Sequence, residues 1–151
     1  MKKRMFAFLL GALLGVSFIA GATPPENAGW TTEAKTAFET AKEKKLPVLA
    51  FFTGSDWCPF CVKMAKETLP TKEFRDFAKD KIVLLYLDFP RSKAPSKEAQ
   101  ELQKRYNIQG FPTTVVLDAE GKVLGSVVGF RPARDYVSEL QGILDNAEKK
   151  K

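Results

Sequence analysis

Residues 55–61 read Ser55-Asp56-Trp57-Cys58-Pro59-Phe60-Cys61 and contain the only two cysteines of the 151-residue chain. The preceding run, Val48 to Thr53, is apolar and short, as is typical of a strand that is buried on both faces of a sheet. Gly54 and Ser55 form a turn signal, and Pro59 suits the first turn of a helix. The segment therefore predicts a buried strand, a turn, and a helix that has Cys58 at its N-terminus.

Three kinds of site could use this cysteine pair. A structural zinc ion needs about four nitrogen or sulfur ligands, and a chain with two cysteines and no histidine supplies them only if a symmetric dimer shares four cysteines. A structural disulfide suits an exported protein, but it stabilises mainly by closing a long loop, and this one closes a few residues. A redox centre is the third reading, and the position of Cys58 favours it over metal binding and over a structural bridge.

At a helix N-terminus, the Cys58 sulfur faces unpaired N–H groups and the positive end of the helix dipole. Both favour the thiolate, which is the form that attacks a disulfide. Cys61 lies one turn further along, where it can displace Cys58 from a mixed disulfide. Pro59 stiffens the intervening turn and, with Phe60, forms the dipeptide that tunes the redox potential, while Trp57 provides an apolar wall beside the sulfur.

The first 22 residues have the pattern of a secretory signal peptide. Lys2, Lys3 and Arg4 form a basic start, an apolar stretch follows, and Ala20-Gly21-Ala22 has the small-x-small form of a cleavage site. An uncleaved membrane anchor is the alternative, because the apolar run approaches the ~18 residues that span a bilayer. We expect cleavage after Ala22, a periplasmic or other extracytoplasmic location, and no membrane attachment afterwards.

The remaining residues, 23–151, have a length that fits one domain with one core. The chain carries 24 basic and 18 acidic residues, and three of the basic ones belong to the predicted signal peptide. The others are interspersed with acidic residues, which gives no indication of nucleic-acid binding. The absence of histidine removes the commonest general base and the commonest metal ligand, so no metal site is expected.

Hydrophobic periodicity predicts the element order α-β-α-β-α-β-β-α. The expected strands are residues 48–53, 82–87, 113–117 and 122–128. The expected helices are residues 31–45, with Trp30 and Ala34 on the inward face, a helix from Pro59 that breaks at Pro70 and resumes after Thr71, one from Ser96 to Tyr106, and one after Pro132. This order predicts a small, mostly buried sheet that has helices on both faces.

A second signal lies about 50 residues after the cysteines, in Gly110-Phe111-Pro112-Thr113. Together with the strand–CxxC–helix unit, it makes the chain resemble the thioredoxin superfamily from about Trp30 to Leu144. The form of the motif looks like that of exported thioredoxin-like proteins that carry Gly-Ser-Asp-Trp-Cys-x-x-Cys. The resemblance implies an α/β fold, a three-layer α/β/α sandwich around a central mixed sheet.

The resemblance also implies roles for individual residues. Cys58 matches the family's nucleophile and Cys61 its resolving cysteine, with their disulfide as the redox-active group and no other cofactor. Pro112 matches the cis-proline beside the cysteines, which leaves the backbone of Phe111 free to pair with an extended substrate peptide, and Trp57 belongs to the same surface. The implied partners are exported cysteine-containing proteins and a membrane protein that donates or accepts electrons.

One departure from the family pattern concerns proton transfer to Cys61. Thioredoxins carry a buried acid in the strand before the motif, whereas residues 49–53 contain none. Water, Glu67 or Lys63 must then serve, and we expect water. Asp56 is expected to be exposed and to oppose thiolate formation slightly.

The leading hypothesis is a thiol–disulfide oxidoreductase of the cell envelope. The alternative is a non-catalytic binding module that uses the same scaffold to hold a peptide or protein. The intact CxxC pair favours the enzyme, and the missing acid favours the module. The Pro59-Phe60 dipeptide carries no cation, which argues against a powerful oxidant and for a reductase, an isomerase or an electron relay.

Overall fold

Helices cover both faces of a five-stranded sheet in the computed structural model, which describes residues 24–25 and 29–150. The predicted signal peptide, residues 1–22, and its cleavage site lie outside these residues. Within the described part of the chain, no helix is long and apolar enough to cross a membrane.

The helices and strands follow the predicted order closely. The strands are β1 Trp30–Thr31, β2 Val48–Thr53, β3 Val83–Asp88, β4 Thr113–Leu117 and β5 Val123–Val128. The helices are α1 Ala34–Lys44, α2 Pro59–Glu67, α3 Lys72–Ala78, α4 Lys97–Arg105 and α5 Ala133–Glu148. As expected, the helical conformation is interrupted near Pro70 and resumes after Thr71. The Thr71 hydroxyl accepts the Phe74 N–H and caps α3.

Strand β2 lies in the middle of the sheet, which has the order β1-β3-β2-β4-β5. It pairs in parallel with β3, where Phe51 faces Tyr86, and antiparallel with β4, where Phe51 faces Thr114. Every residue of β2 is buried, which explains its continuous apolar sequence. Because β2 is central, its carboxyl end and the cysteine segment that follows lie at one end of the strands, in the middle of the sheet's width.

Two hydrophobic clusters occupy the two faces of the sheet. Ala37 and Ala41 of α1 pack with Phe52 on one face, and Tyr136 and Leu140 of α5 pack with Phe51 and residues of α2 and α3 on the other. Alternate β2 side chains supply the two clusters, as the period of a strand requires. The domain is thus the three-layer α/β/α sandwich with a mixed sheet that the resemblance implied.

The prediction for the first helix was wrong at its start. Trp30 and Thr31 form the edge strand β1, in which Trp30 faces Leu84, and the helix begins at Ala34. Trp30 packs on the face opposite α1, against the rings of Phe51, Phe74 and Tyr86. The first amide of α1, Ala34 N–H, donates to Glu98 Oε2 of α4 at 2.9 Å. Burial of the indole against distant aromatic residues overrides the local helical spacing.

Candidate active site

The cysteine pair lies where β2 gives way to α2. Cys58 is the N-cap residue of α2, with an extended backbone, and Pro59 occupies the first helical position. The Cys58 N–H donates to Gly54 O at 2.9 Å, which closes the turn between strand and helix. The Cys58 Sγ accepts the Cys61 N–H at 3.3 Å. The sulfur therefore takes the place of the oxygen that ordinarily caps a helix.

Cys58 and Cys61 form a disulfide, with their Cα atoms 5.2 Å apart. Cys58 is 5% exposed and Cys61 is 0% exposed, so an incoming thiolate meets Cys58 first. The buried Cys61 Sγ accepts the Gly54 N–H at 3.4 Å. Both sulfurs thus receive a backbone amide, a group that favours the thiolate when the disulfide is reduced.

The loop around Pro112 forms the wall opposite the cysteines. The Phe111–Pro112 peptide bond is cis, as the resemblance implied, and the Phe111 carbonyl oxygen lies 3.6 Å from Cys58 Sγ. The Pro112 carbonyl accepts the Gly129 N–H at 2.8 Å, which fixes the loop to the end of β5. Within the described residues, no hydrogen bond engages the Phe111 N–H.

Trp57 is held firmly beside the cysteines. Its Nε1–H donates to Phe89 O at 2.7 Å, and its ring meets that of Phe111 edge to face, with centroids 5.8 Å apart. A Cβ on Gly54 would lie 2.5 Å from the indole, so the turn accepts only glycine at that position without a rearrangement. The orientation of the indole therefore depends on both Phe89 and Gly54.

Two carboxylates join the cysteine turn to the last residue of β3 and to the loop that follows β3. Asp88 accepts the Ser55 N–H at 3.1 Å and the Ser55 hydroxyl at 2.7 Å. Asp56 accepts the N–H groups of Arg91 and Ser92 at 2.9 and 3.0 Å. The sequence predicted that Ser55 lies in a turn, but it indicated no role for Asp88 or Arg91. An aspartate at the end of the strand next to β2 was the available signal.

Asp56 is exposed, as expected, but its carboxylate is hydrogen-bonded to the backbone of Arg91 and Ser92. The Arg91 N–H is the main cause that holds the pKa of the Asp56 carboxyl below its ordinary value of 3.8. Because the folded state prefers the carboxylate, the stabilisation by Asp56 is present above pH 3.8 and is lost as the pH falls below it.

We therefore expect Asp56→Ala to lower the melting temperature at pH 6, and the difference from the wild-type protein to shrink towards pH 2. Thermal unfolding followed by circular dichroism between pH 2 and pH 6 measures this. A difference that stays constant over that range would mean that the charge of Asp56 does not hold the segment.

The two side chains considered for proton transfer lie on the exposed surface of α2. Lys63 Nζ is 3.9 Å from Glu67 Oε2 and 4.6 Å from the centroid of the Phe130 ring. Cys61, by contrast, is completely buried.

Phe60 is 60% exposed and extends the apolar surface next to Cys58. Among the described residues, no cluster of three or more histidine, cysteine or acidic side chains could hold a metal ion.

Fold and site together define a class of protein, the thioredoxin-like thiol–disulfide oxidoreductases, because a CxxC disulfide at a helix N-terminus faces a cis-proline across the end of a mixed sheet. The chain belongs to the family described as "thioredoxin-like domain", whose sequence profile matches residues 34–143.

Within this class, the chain is similar to proteins of the Dsb group. The chain is 39% identical over 124 residues to the disulfide bond reductase DsbH of Chlamydia pneumoniae, a match that covers 78% of this chain and 74% of the relative. It is 31% identical over 120 residues to the thiol:disulfide interchange protein DsbD of Ralstonia nicotianae, covering 79% of this chain but 19% of that protein. A solved structure of a DsbH oxidoreductase superposes with a TM-score of 0.70 and 35% identity, over 84% of this chain and 92% of that one. The protein is therefore a disulfide oxidoreductase.

Proposed function

We propose that the protein works in the cell envelope, where it reduces or exchanges disulfide bonds of other exported proteins, with Cys58 as the nucleophile and Cys61 as the resolving cysteine. The observation that carries the proposal is the asymmetry of the pair. Cys58 is the N-cap residue of α2 and retains some exposure, whereas Cys61 is completely buried behind it. The similarity to a protein named disulfide bond reductase supports the reduction of substrate disulfides.

The reaction follows from this asymmetry. The Cys58 thiolate attacks one sulfur of a substrate disulfide, a mixed disulfide forms, and the other substrate sulfur leaves as a thiolate. The Cys61 thiolate then attacks Cys58 Sγ, which forms the Cys58–Cys61 disulfide and releases the second substrate sulfur. Two electrons pass from the protein to the substrate, and a dithiol protein must return two electrons before the next cycle.

The substrate would lie across Trp57, Phe111 and Pro112. The Phe111 N–H has no partner within the described residues and is therefore available to an extended peptide. The Phe111 carbonyl already lies against Cys58 Sγ, so a peptide paired at Phe111 brings its own sulfur close to the nucleophile. The exposed Phe60 adds apolar contact area on the α2 side.

The N-terminal sequence and the relatives support a proposal for the location and for the kind of partner. Residues 1–22 would direct export and be cleaved after Ala22, which leaves the thioredoxin-like domain of residues 23–151 outside the cytoplasm. No other cofactor is needed beyond the disulfide. A membrane protein would donate or accept the electrons, as the similarity to a segment of a thiol:disulfide interchange protein suggests.

The reduction potential tests the direction of the reaction. The Pro59-Phe60 dipeptide supplies no cation and the chain contains no histidine, so backbone amides at the start of α2 are the main stabilisers of the Cys58 thiolate. We expect a potential between about −270 mV, as in thioredoxin, and about −120 mV, as in a strong periplasmic oxidant, and nearer to the thioredoxin value. Equilibration with glutathione at defined ratios, followed by thiol alkylation, measures it.

The same preparation should reduce an insulin-type disulfide substrate when a dithiol donor is present, and should oxidise unfolded reduced proteins poorly. A potential near the strong-oxidant value would contradict the reductase direction. A cysteine pair that stays oxidised in strong reductant would instead support a peptide-binding module without catalysis.

A further inference from the structure

We propose that the Gly54 N–H is the group that stabilises the Cys61 thiolate, and that Asp88 is a positioning residue that orients this amide through Ser55. The proposal rests on the proposed function and deepens it, since it names the group that stabilises the charge on Cys61 in a chain that lacks the buried acid of thioredoxins. The stabilising group belongs to the backbone, and a residue of the neighbouring strand β3 holds it in position.

The geometry begins with one peptide group, which joins Thr53 to Gly54. Its carbonyl oxygen, Thr53 O, accepts the Phe89 N–H at 2.8 Å. Its N–H, on Gly54, donates to Cys61 Sγ at 3.4 Å. In a planar trans peptide the carbonyl and the N–H point in opposite directions. Anchoring the carbonyl to the segment after β3 therefore aims the amide at the buried sulfur.

The next peptide group is anchored to the last residue of β3. The Ser55 N–H and the Ser55 hydroxyl both donate to the carboxylate of Asp88, at 3.1 and 2.7 Å. Asp88 is the last residue of β3 and pairs in register with Thr53, so its backbone is part of the central sheet. Two successive peptide groups are thus fixed by residues 88 and 89, and the turn has little freedom to rotate the Gly54 N–H away from Cys61.

The Gly54 N–H stabilises Cys61 in each step in which its sulfur is a thiolate. When a donor thiolate attacks Cys58 Sγ in the oxidised protein, a new S–S bond forms to Cys58, the Cys58–Cys61 bond breaks, and the electron pair leaves on Cys61 Sγ. In the reverse direction, the Cys61 thiolate attacks Cys58 Sγ and expels the partner's sulfur. A hydrogen bond to the thiolate makes it the better leaving group and raises its fraction at a given pH.

In the part of the chain that the structure describes, no charged side chain is hydrogen-bonded to the Cys61 sulfur. Within the described residues, the hydrogen bond that reaches Cys61 Sγ comes from Gly54. Lys63 and Glu67 pair with each other on the exposed side of α2, and Asp56 binds the segment after β3. Asp88 itself is negative, so by charge alone it would disfavour a nearby thiolate. Its effect through the position of the amide therefore has the opposite sign to its effect through charge.

These opposite signs allow a direct test. In a Cys58→Ser background, Cys61 is the only thiol, and its thiolate is titrated by absorbance at 240 nm. We expect Asp88→Ala to raise the titration midpoint of Cys61 by at least half a pH unit, about a threefold loss of thiolate below the midpoint. We expect Asp88→Asn to leave the midpoint unchanged or lower, since the amide oxygen still accepts the Ser55 N–H while the charge is gone.

Asp118→Ala is the matched control. Asp118 also accepts two backbone amides, those of Glu120 and Lys122, at 3.0 and 2.8 Å. It follows β4 at the end of the sheet away from the cysteines, because β4 runs antiparallel to β2. Its replacement should lower stability by a comparable amount and leave the Cys61 midpoint unchanged.

A second measurement needs no change at Asp88. In the Cys58→Ser protein, the amide proton resonance of Gly54 should shift with pH at the same midpoint as the Cys61 absorbance. A Gly54 resonance that does not follow Cys61 would overturn the proposal, as would an Asp88→Ala midpoint that is unchanged or lower. Neither readout requires turnover, so failure of the proposed function, seen as a wild-type protein that reduces no disulfide, is distinguished from failure of this proposal.

Discussion

Replacing Cys61 with serine is expected to convert the protein from a catalyst into a covalent trap. Cys58 keeps its place at the N-terminus of α2 and its amide contact from residue 61, so it still attacks a disulfide. No second thiol remains in the chain to resolve the mixed disulfide. Adducts with a model disulfide protein should accumulate on non-reducing gels and release under dithiothreitol, while multiple-turnover reduction falls to background.

Cys58→Ser is the matched variant, and it should form no adduct and show no turnover. Its remaining thiol, Cys61, is completely buried, so a protein-sized disulfide cannot reach it. Equal trapping by the two variants would show that the assignment of nucleophile and resolving cysteine is wrong. Mass spectrometry of the adduct, with the modified residue identified, completes the comparison.

Gly54→Ala is expected to lower both stability and activity while leaving both cysteines in place. A Cβ at this position would lie 2.5 Å from Cε2 and 2.6 Å from Nε1 of Trp57. The indole cannot yield freely, because it donates to Phe89 O and packs against Phe111. Overpacking of this kind costs about 1–3 kcal/mol of unfolding free energy. Displacement of the Trp57 wall should also lower the rate of disulfide reduction by about tenfold to a hundredfold.

Gly142→Ala provides the control, because it should raise the free energy of unfolding where Gly54→Ala lowers it. Gly142 lies inside α5, and a Cβ there meets no atom within 4 Å. Alanine in place of glycine inside a helix stabilises by about 0.5–1 kcal/mol, and the activity should be unchanged. Urea unfolding and insulin-type reduction assays on both variants test the pair. A Gly54→Ala protein as stable and active as the wild type would mean that the indole is not held in the position described.

Much of the fold was predictable because it depends on local patterns. The apolar run of residues 48–53 has the length and composition of a doubly buried strand, and β2 occupies those residues. Ser96 and Thr71 were predicted at helix starts, and each hydroxyl accepts the amide three residues on. The placement of Cys58 before Pro59 predicted a sulfur at a helix N-terminus. Each of these features is set by residues a few positions apart.

Local sequence patterns predicted the CxxC helix and the central strand, and the family resemblance implied the cis-proline loop opposite the cysteines. The edge strand at Trp30, the bond from Ser55 to Asp88 and the bond from Arg91 to Asp56 could not be predicted in this way. These contacts join residues more than 30 positions apart, so no periodicity or spacing encodes them. The two carboxylate contacts form because β2 and β3 pair in parallel and bring their carboxyl ends to the same end of the sheet. The arrangement around Cys61 is therefore a property of strand pairing, to which the local sequence contributes only the turn residues.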